Sequence, residues 1–288
     1  MLIEKKRSSS AMLLGSLICF STLLVVACQQ PTEEQLRPGY TQWESAGPSA
    51  PLAEASENVL ARGAALYDQR CLTCHGREGD GQGAASVFLE VAPRDFRRGL
   101  YKFRTSPSGE IPRDADLFRS ITAGFPAYGM PSFAYLSEND RWALVHYVKS
   151  FAQVFERGEA LEAMELGEPP LPSAELLEQG QVVFEKARCG QCHGQDGRGF
   201  GPSAEGLEDS WGHPIPTLNL TSATIYWKTG SRPRDIMRTL TTGLNGTPMP
   251  SYLESGFTKD ELWSLAFYIA SLADEDERDA TVASGRRR

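Results

Sequence analysis

Two stretches of the chain share one pattern of apolar and polar positions. Leu60-Ala-Arg-Gly-Ala-Ala-Leu-Tyr67 and Leu177-Glu-Gln-Gly-Gln-Val-Val-Phe184 are amphipathic segments with helical spacing, and each leads into a cysteine motif. The likeness continues downstream. Asp116-Leu-Phe-Arg-Ser-Ile-Thr-Ala-Gly124 matches Asp235-Ile-Met-Arg-Thr-Leu-Thr-Thr-Gly243, and Met130-Pro-Ser-Phe133 matches Met249-Pro-Ser-Tyr252. Each copy closes on a helix-start signal, Ser137-Glu-Asn-Asp140 or Thr258-Lys-Asp-Glu261, followed by Trp142 and Tyr147 or Trp263 and Tyr268. Sustained apolar–polar alternation with a period of two is absent. The pattern predicts an all-α chain of two tandem domains, each with about three main helices and long glycine-rich loops.

The segments outside the repeat have other characters. Residues 1–27 open with Glu4, Lys5, Lys6 and Arg7 and run through an apolar block from Ala11 to Ala27, which reads as an export signal or an uncleaved signal anchor. Leu24-Val-Val-Ala-Cys28 resembles a bacterial lipobox, and that resemblance implies lipidation of Cys28. Both readings tether the protein to a membrane and place its folded part outside the cytoplasm, facing the periplasm or the outer side of the cytoplasmic membrane. Residues 28–57 are rich in Pro, Glu, Ser, Ala and Gly and are expected to be a flexible spacer. The first domain is expected at 58–155, a semi-rigid linker with Glu-Pro-Pro-Leu-Pro at 156–173, the second domain at 174–273 and a charged tail at 274–288.

Charge narrows the partners. The 288 residues carry 29 basic and 37 acidic side chains, and removal of residues 1–27 leaves 26 against 36, a formal balance of −10. Such a chain is no nucleic-acid binder, and its acidic surface suits basic redox partners.

The chemistry lies in Cys71-Leu-Thr-Cys74-His75 and Cys189-Gly-Gln-Cys192-His193, both of C-x-x-C-H form. Two thiols about one helical turn apart reach the two vinyl groups of one porphyrin, and the adjacent imidazole then lies beneath the iron. The motifs therefore predict two covalently bound haem c groups. A C-x-x-C pair also serves as a redox disulfide, as half of a zinc site or in an iron–sulfur centre, but zinc needs four ligands and each copy clusters three. The glycines after the motif, Gly76, Gly79, Gly81 and Gly83, recur as Gly194, Gly197, Gly199 and Gly201 at a constant offset of 118.

On these motifs the chain resembles the class I cytochrome c family over nearly all of 58–154 and 174–273. The resemblance implies His75 and His193 as proximal iron ligands, and Met130 and Met249, each in a Gly/Pro-rich loop, as the sixth ligands. It also implies a proline carbonyl against each proximal imidazole, for which Pro93 and Pro216 are the expected residues. Met237, opposite Phe118, is expected in the core and Met164 in the linker. His146 and His213 have no counterpart in the other copy and are expected to be ordinary histidines, with His213 the reserve ligand should Met249 fail. Arg94, Arg97, Arg98, Lys102 and Arg104 form a basic cluster open to haem propionates, to a partner's acidic face or to solvent.

The resemblance implies an electron-transfer protein rather than an enzyme, passing single electrons between membrane-bound respiratory components. The stretch from Pro93-Arg-Asp-Phe96 through Tyr101-Lys-Phe-Arg104 to Met130-Pro-Ser looks like the cytochrome subunit of a respiratory oxidoreductase. Two rivals stay open. A peroxidase-like or sulfur-oxidising dihaem enzyme would need an open or labile iron site, and a haem sensor would need an output module that the sequence does not display.

Overall fold

Serine hydroxyls open the first helix of each half of the protein. In the computed structural model, which describes residues 43–49, 55–222 and 226–285, Ser56 Oγ accepts from the Val59 amide and begins α1 (Glu57–Arg70). The haem motif forms a short α2 (Leu72–His75), followed by a long loop, α3 (Asp114–Ala123) and α4 (Glu138–Lys149). The order repeats in α5 (Ala174–Lys186), which starts at a Ser173 cap, α6 (Gly190–His193), α7 (Pro233–Thr242) and α8 (Lys259–Gly285). The expected caps on the closing helices are in place: Ser137 Oγ accepts from the Asp140 amide, and Thr258 and Glu261 exchange reciprocal bonds. Among the described residues there is no strand, only the isolated bridges Phe125–Met130 and Glu208–Pro214. The all-α expectation holds, with one short motif helix added to the three main helices of each half.

Within each lobe the first and last helices cross at a glycine. A Cβ on Gly63 would strike the Ala143 carbonyl oxygen and the Tyr147 side chain, and one on Gly180 would strike the Ser264 carbonyl oxygen and the Tyr268 side chain. The first core gathers Leu66, Tyr67, Phe118, Trp142, Leu144 and Val145. The second gathers Phe184, Met237, Leu240, Leu262, Trp263 and Leu265. Met237 and Phe118 are fully buried at matching positions, as the repeat predicts.

The copies differ by one residue between the first helix and the motif. Four positions separate Tyr67 from Cys71 and five separate Phe184 from Cys189, and the extra residue is absorbed at Arg188, whose φ of 57° lies in the left-handed region.

The two lobes dock through side chains of the long loop of the first lobe. Arg104, 1% exposed, donates Nη2 to the Thr242 carbonyl (2.5 Å) and Nη1 to the Gly243 carbonyl (3.4 Å), placing a cation on the negative end of α7. Burial pulls its pKa down to about 10, still far above neutrality. Arg98 donates to the Ser210 carbonyl (2.8 Å), Asn245 bonds the backbone of Gly109 and Glu110, and Trp211 lies beneath the guanidiniums of Arg94 and Arg98, at 4.3 and 5.1 Å. The 156–173 connection touches both lobes: Met164 N–H donates to Thr105, and the Leu166 carbonyl accepts from Trp263.

Two expectations are corrected here. Within residues 43–49, expected to belong to the flexible spacer, Trp43 and Ala46 are buried. Trp43, 1% exposed, donates its indole N–H to Ser120 Oγ (2.9 Å) and lies under Arg119 of the first lobe and Arg238 of the second. A single large aromatic side chain supplies the apolar area that the rest of that stretch lacks. The last helix also runs on to Gly285, past residue 273 and into the charged tail.

Gly63→Ala and Gly180→Ala are each expected to destabilise the protein by about 1–3 kcal/mol through overpacking at the crossings. Arg188→Gly, which relieves a left-handed side chain, is expected to be neutral or stabilising by up to about 1 kcal/mol. Denaturant unfolding of the holoprotein checks both, and a glycine variant at 188 less stable than wild type would sink the second.

Candidate functional site

Short helices leave carbonyls without intrahelical partners, and the haem-motif turns α2 and α6 solve this with the glycine ladder. Gly81 N–H donates to His75 O (2.9 Å), Gly83 N–H to Cys74 O (3.1 Å) and Ala85 N–H to Thr73 O (2.8 Å). In the second lobe Gly199, Gly201 and Ser203 make the same bonds to His193, Cys192 and Gln191. The backbone can approach this closely because Gly83 and Gly201 have no Cβ: one would overlap the Leu72 and Thr73 carbonyls, or those of Gly190 and Gln191. The ladder that recurs in the sequence is thus a backbone mantle over each motif.

The next segment fixes the imidazoles. Phe96 N–H donates to Gly79 O and Leu220 N–H to Gly197 O, both at 2.7 Å, which brings a carbonyl onto each ring. His75 Nδ1 lies 3.1 Å from Arg94 O, and His193 Nδ1 lies 2.9 Å from Leu218 O. A carbonyl only accepts, so Nδ1 carries the proton and the Nε2 lone pair is left for a metal. Burial lowers the pKa of both rings and keeps them neutral. The accepting carbonyls, expected from Pro93 and Pro216, belong instead to Arg94 and Leu218. Position along the mantle, not the proline ring, decides which carbonyl meets the imidazole. The Pro93 carbonyl faces Gly81, and the residue facing Gly199 in the same way is Thr217.

The four motif cysteines are unpaired. Burial pushes the Cys71 thiol up to about 12 and the Cys189 thiol up to about 11, so both are neutral thiols at physiological pH. Among the described residues no group of three or more His, Cys, Asp or Glu side chains is arranged to hold a metal ion. An uncharged, apolar setting of this kind suits a thioether.

The methionine loops are built locally. Phe125 and Met130 exchange backbone bonds of 2.8 and 3.2 Å, and Leu244 N–H donates to Met249 O in the second lobe. The following serine staples each loop to the preceding helix: Ser132 Oγ donates to Thr122 O (2.7 Å), and Ser251 Oγ to Thr241 O (2.6 Å). The third residue of the staple is an aromatic, and the Phe133 ring is buried. The Met-Pro-Ser-aromatic repeat therefore encodes one sulfur presented on a pinned loop.

In the first lobe one cavity is lined by Cys71, Cys74, His75, Phe96, Tyr101 and Met130. Phe96 stacks on the His75 ring with centroids 4.5 Å apart. The buried Tyr101 hydroxyl has no hydrogen-bond partner among the described residues, as a haem-lined wall would leave it. In the second lobe Met249 packs against the core that contains Cys189. The residues present fit a haem: two neutral thiols, a neutral imidazole with a free Nε2 and a thioether.

The remaining candidates fall elsewhere. His146 is half-buried near the end of α4 and His213 lies 3.7 Å from Asp209 in a loop; neither lines the cavity with His75. Of the basic cluster, Arg97 pairs with Asp95 (2.7 Å), Arg98 and Arg104 hold the second lobe, and Arg94 and Lys102 line the cavity. Sequence reasoning missed Lys228, a cavity-lining residue from the other half of the chain, and Tyr101 as a wall residue. Cys28 and the apolar block lie outside the described residues, and among those residues no helix is long and apolar enough to cross a membrane.

Comparison with known proteins agrees with this geometry. Residues 58–148 match the family model described as cytochrome c oxidase, cbb3-type, subunit III, and residues 177–273 match the cytochrome c model. A chain of the Kuenenia stuttgartiensis reducing HAO-like protein complex is 40% identical, with a TM-score of 0.72 over 77% of this chain and 99% of that one. No curated protein matches the chain.

Ser251→Ala leaves the Thr241 carbonyl without its hydroxyl partner, and is expected to cost about 1 kcal/mol of stability. A loosened loop should also raise the rate at which imidazole or cyanide displaces the sixth ligand of the second haem. Unchanged stability together with unchanged exchange would show that the staple does not position Met249.

Proposed function

The chain belongs to the dihaem c-type cytochromes, and from that premise we propose that it passes single electrons between redox partner proteins as the membrane-tethered cytochrome subunit of an oxidoreductase complex. The observation that carries this reading is the placement of Met130 in the cavity of His75. Haem supplies reversible one-electron chemistry at iron, and a neutral thioether ligand opposite histidine favours the ferrous state and a high potential.

The chain's own residues define what happens there. His75 and His193 each offer Nε2 because Arg94 and Leu218 hold the Nδ1 proton. Met130 and Met249, on stapled loops, would supply the second protein ligand to each iron, and with both ligands bound no iron position would be left open to a substrate. Phe96, Tyr101 and the mantle keep water from the first imidazole, which limits the solvent reorganisation accompanying each electron. An enzyme would need another arrangement, and the two spare histidines stand away from the first cavity.

The partner reading draws support from the similar chain, which comes from a protein complex. Covalent haem attachment fits an exported protein, and Cys28 after Leu24-Val-Val-Ala is the proposed lipid anchor.

In the oxidised protein, the far-red methionine-to-iron band should fall by about half in Met130→His and again by about half in Met249→His. A band from only one haem in wild type, or a high-spin signature, would overturn the carrier reading. Cys28→Ser should move the protein from the membrane to the soluble fraction. Retention on the membrane would instead assign the tether to residues 11–27.

A further inference from the structure

Three cations converge on the edge of the first cavity without a carboxylate to meet them. Arg94 and Lys102 come from the long loop of the first lobe, and Lys228 comes from the second. All three are half-buried, and among the described residues none has a carboxylate within ion-pair distance. Asp209 acts on Arg94 and Lys102 at longer range. Lys228 Nζ stands 3.8 Å above the Tyr128 ring, whose hydroxyl donates to the Tyr226 carbonyl and so ties the lobes at this point. The unpartnered Tyr101 hydroxyl lines the same cavity.

Like charges held together out of water are costly, and an anion received among them would offset that cost. Burial, followed by the charges of Lys102 and Arg94, lowers Lys228 to about 7, and burial brings Lys102 to about 8. A dianionic ligand at the cluster would reverse both shifts. The ligand that the Cys71–His75 motif brings to this cavity carries two carboxylates of its own.

We propose that the propionates of the first haem are bound by Arg94, Lys102 and Lys228, so that the second lobe completes the cofactor site of the first and the haem itself joins the lobes. This rests on haem attachment at Cys71, Cys74 and His75, and not on the carrier role. Lys228 is a positioning residue for the cofactor; it touches neither iron nor its ligands.

The test is a redox titration of the holoprotein, with the first-haem wave identified as the one displaced by Met130→His. Lys228→Gln removes a buried positive charge and leaves a carboxylate unpaired, which favours ferric iron. The first wave should move to lower potential by the equivalent of a five- to tenfold rise in its oxidised-to-reduced ratio, the upper limit being about 59 mV for one electron. The second wave should stay in place, Lys228→Arg should restore the first, and the shift should persist at about 1 M salt, where the screening length is about 3 Å. An unmoved first wave, equal movement of both waves, or a shift abolished by salt would overturn the proposal. If Lys228→Gln fails to fold, Lys102→Gln, read in the same way, decides. The far-red band should survive in these variants; its loss would indict the methionine ligand and not the propionate site.

Discussion

The hydrogen bond from each buried imidazole to a backbone carbonyl is the constraint on which the architecture turns. It sets the tautomer, and the tautomer decides whether iron has a lone pair to bind. That bond exists only because the glycine mantle brings the carbonyl-bearing segment over the motif turn, and the mantle in turn satisfies the carbonyls of a helix too short to satisfy its own. Two needs, pairing the peptide groups and orienting the ring, are met by the same few residues. That is why their spacing repeats so closely while the loops beyond them do not.

What was legible in the sequence follows the same division. The motifs, the glycine ladder, the serine and threonine caps and the Met-Pro-Ser turns are local devices, each encoded within a few residues, and the repeat displayed each of them twice. The accepting carbonyls were misread as those of Pro93 and Pro216 because the deciding contact is a backbone bond from Phe96 or Leu220 to a glycine well upstream, which leaves no mark on side-chain identity. Trp43 was hidden in a stretch whose average composition is that of a spacer; averaging dilutes one tryptophan that buries its whole ring. Lys228 was invisible because a residue in one copy serving the other copy's crevice has no signal within its own repeat.

The copies are alike in plan and unlike at the ring. His75 stacks on Phe96, where the corresponding second-lobe residue is the aliphatic Leu220. Tyr67 donates its hydroxyl to the Gly76 carbonyl (2.7 Å), while the matching Phe184 has none to give. The polarity and packing around each proximal ligand therefore differ, and these are properties that tune iron potentials. The two haem sites are therefore chemically distinct within a single chain.

Arg104 ties each lobe to the other. Without the second lobe, the guanidinium would lose the carbonyls that cover it. Here it is sealed against the carbonyl end of a helix in the sister copy. Removing either half would separate that guanidinium from the Thr242 and Gly243 carbonyls that it now pairs with. The contact makes the two lobes interdependent, so a change that loosens one lobe at the seam also costs the other.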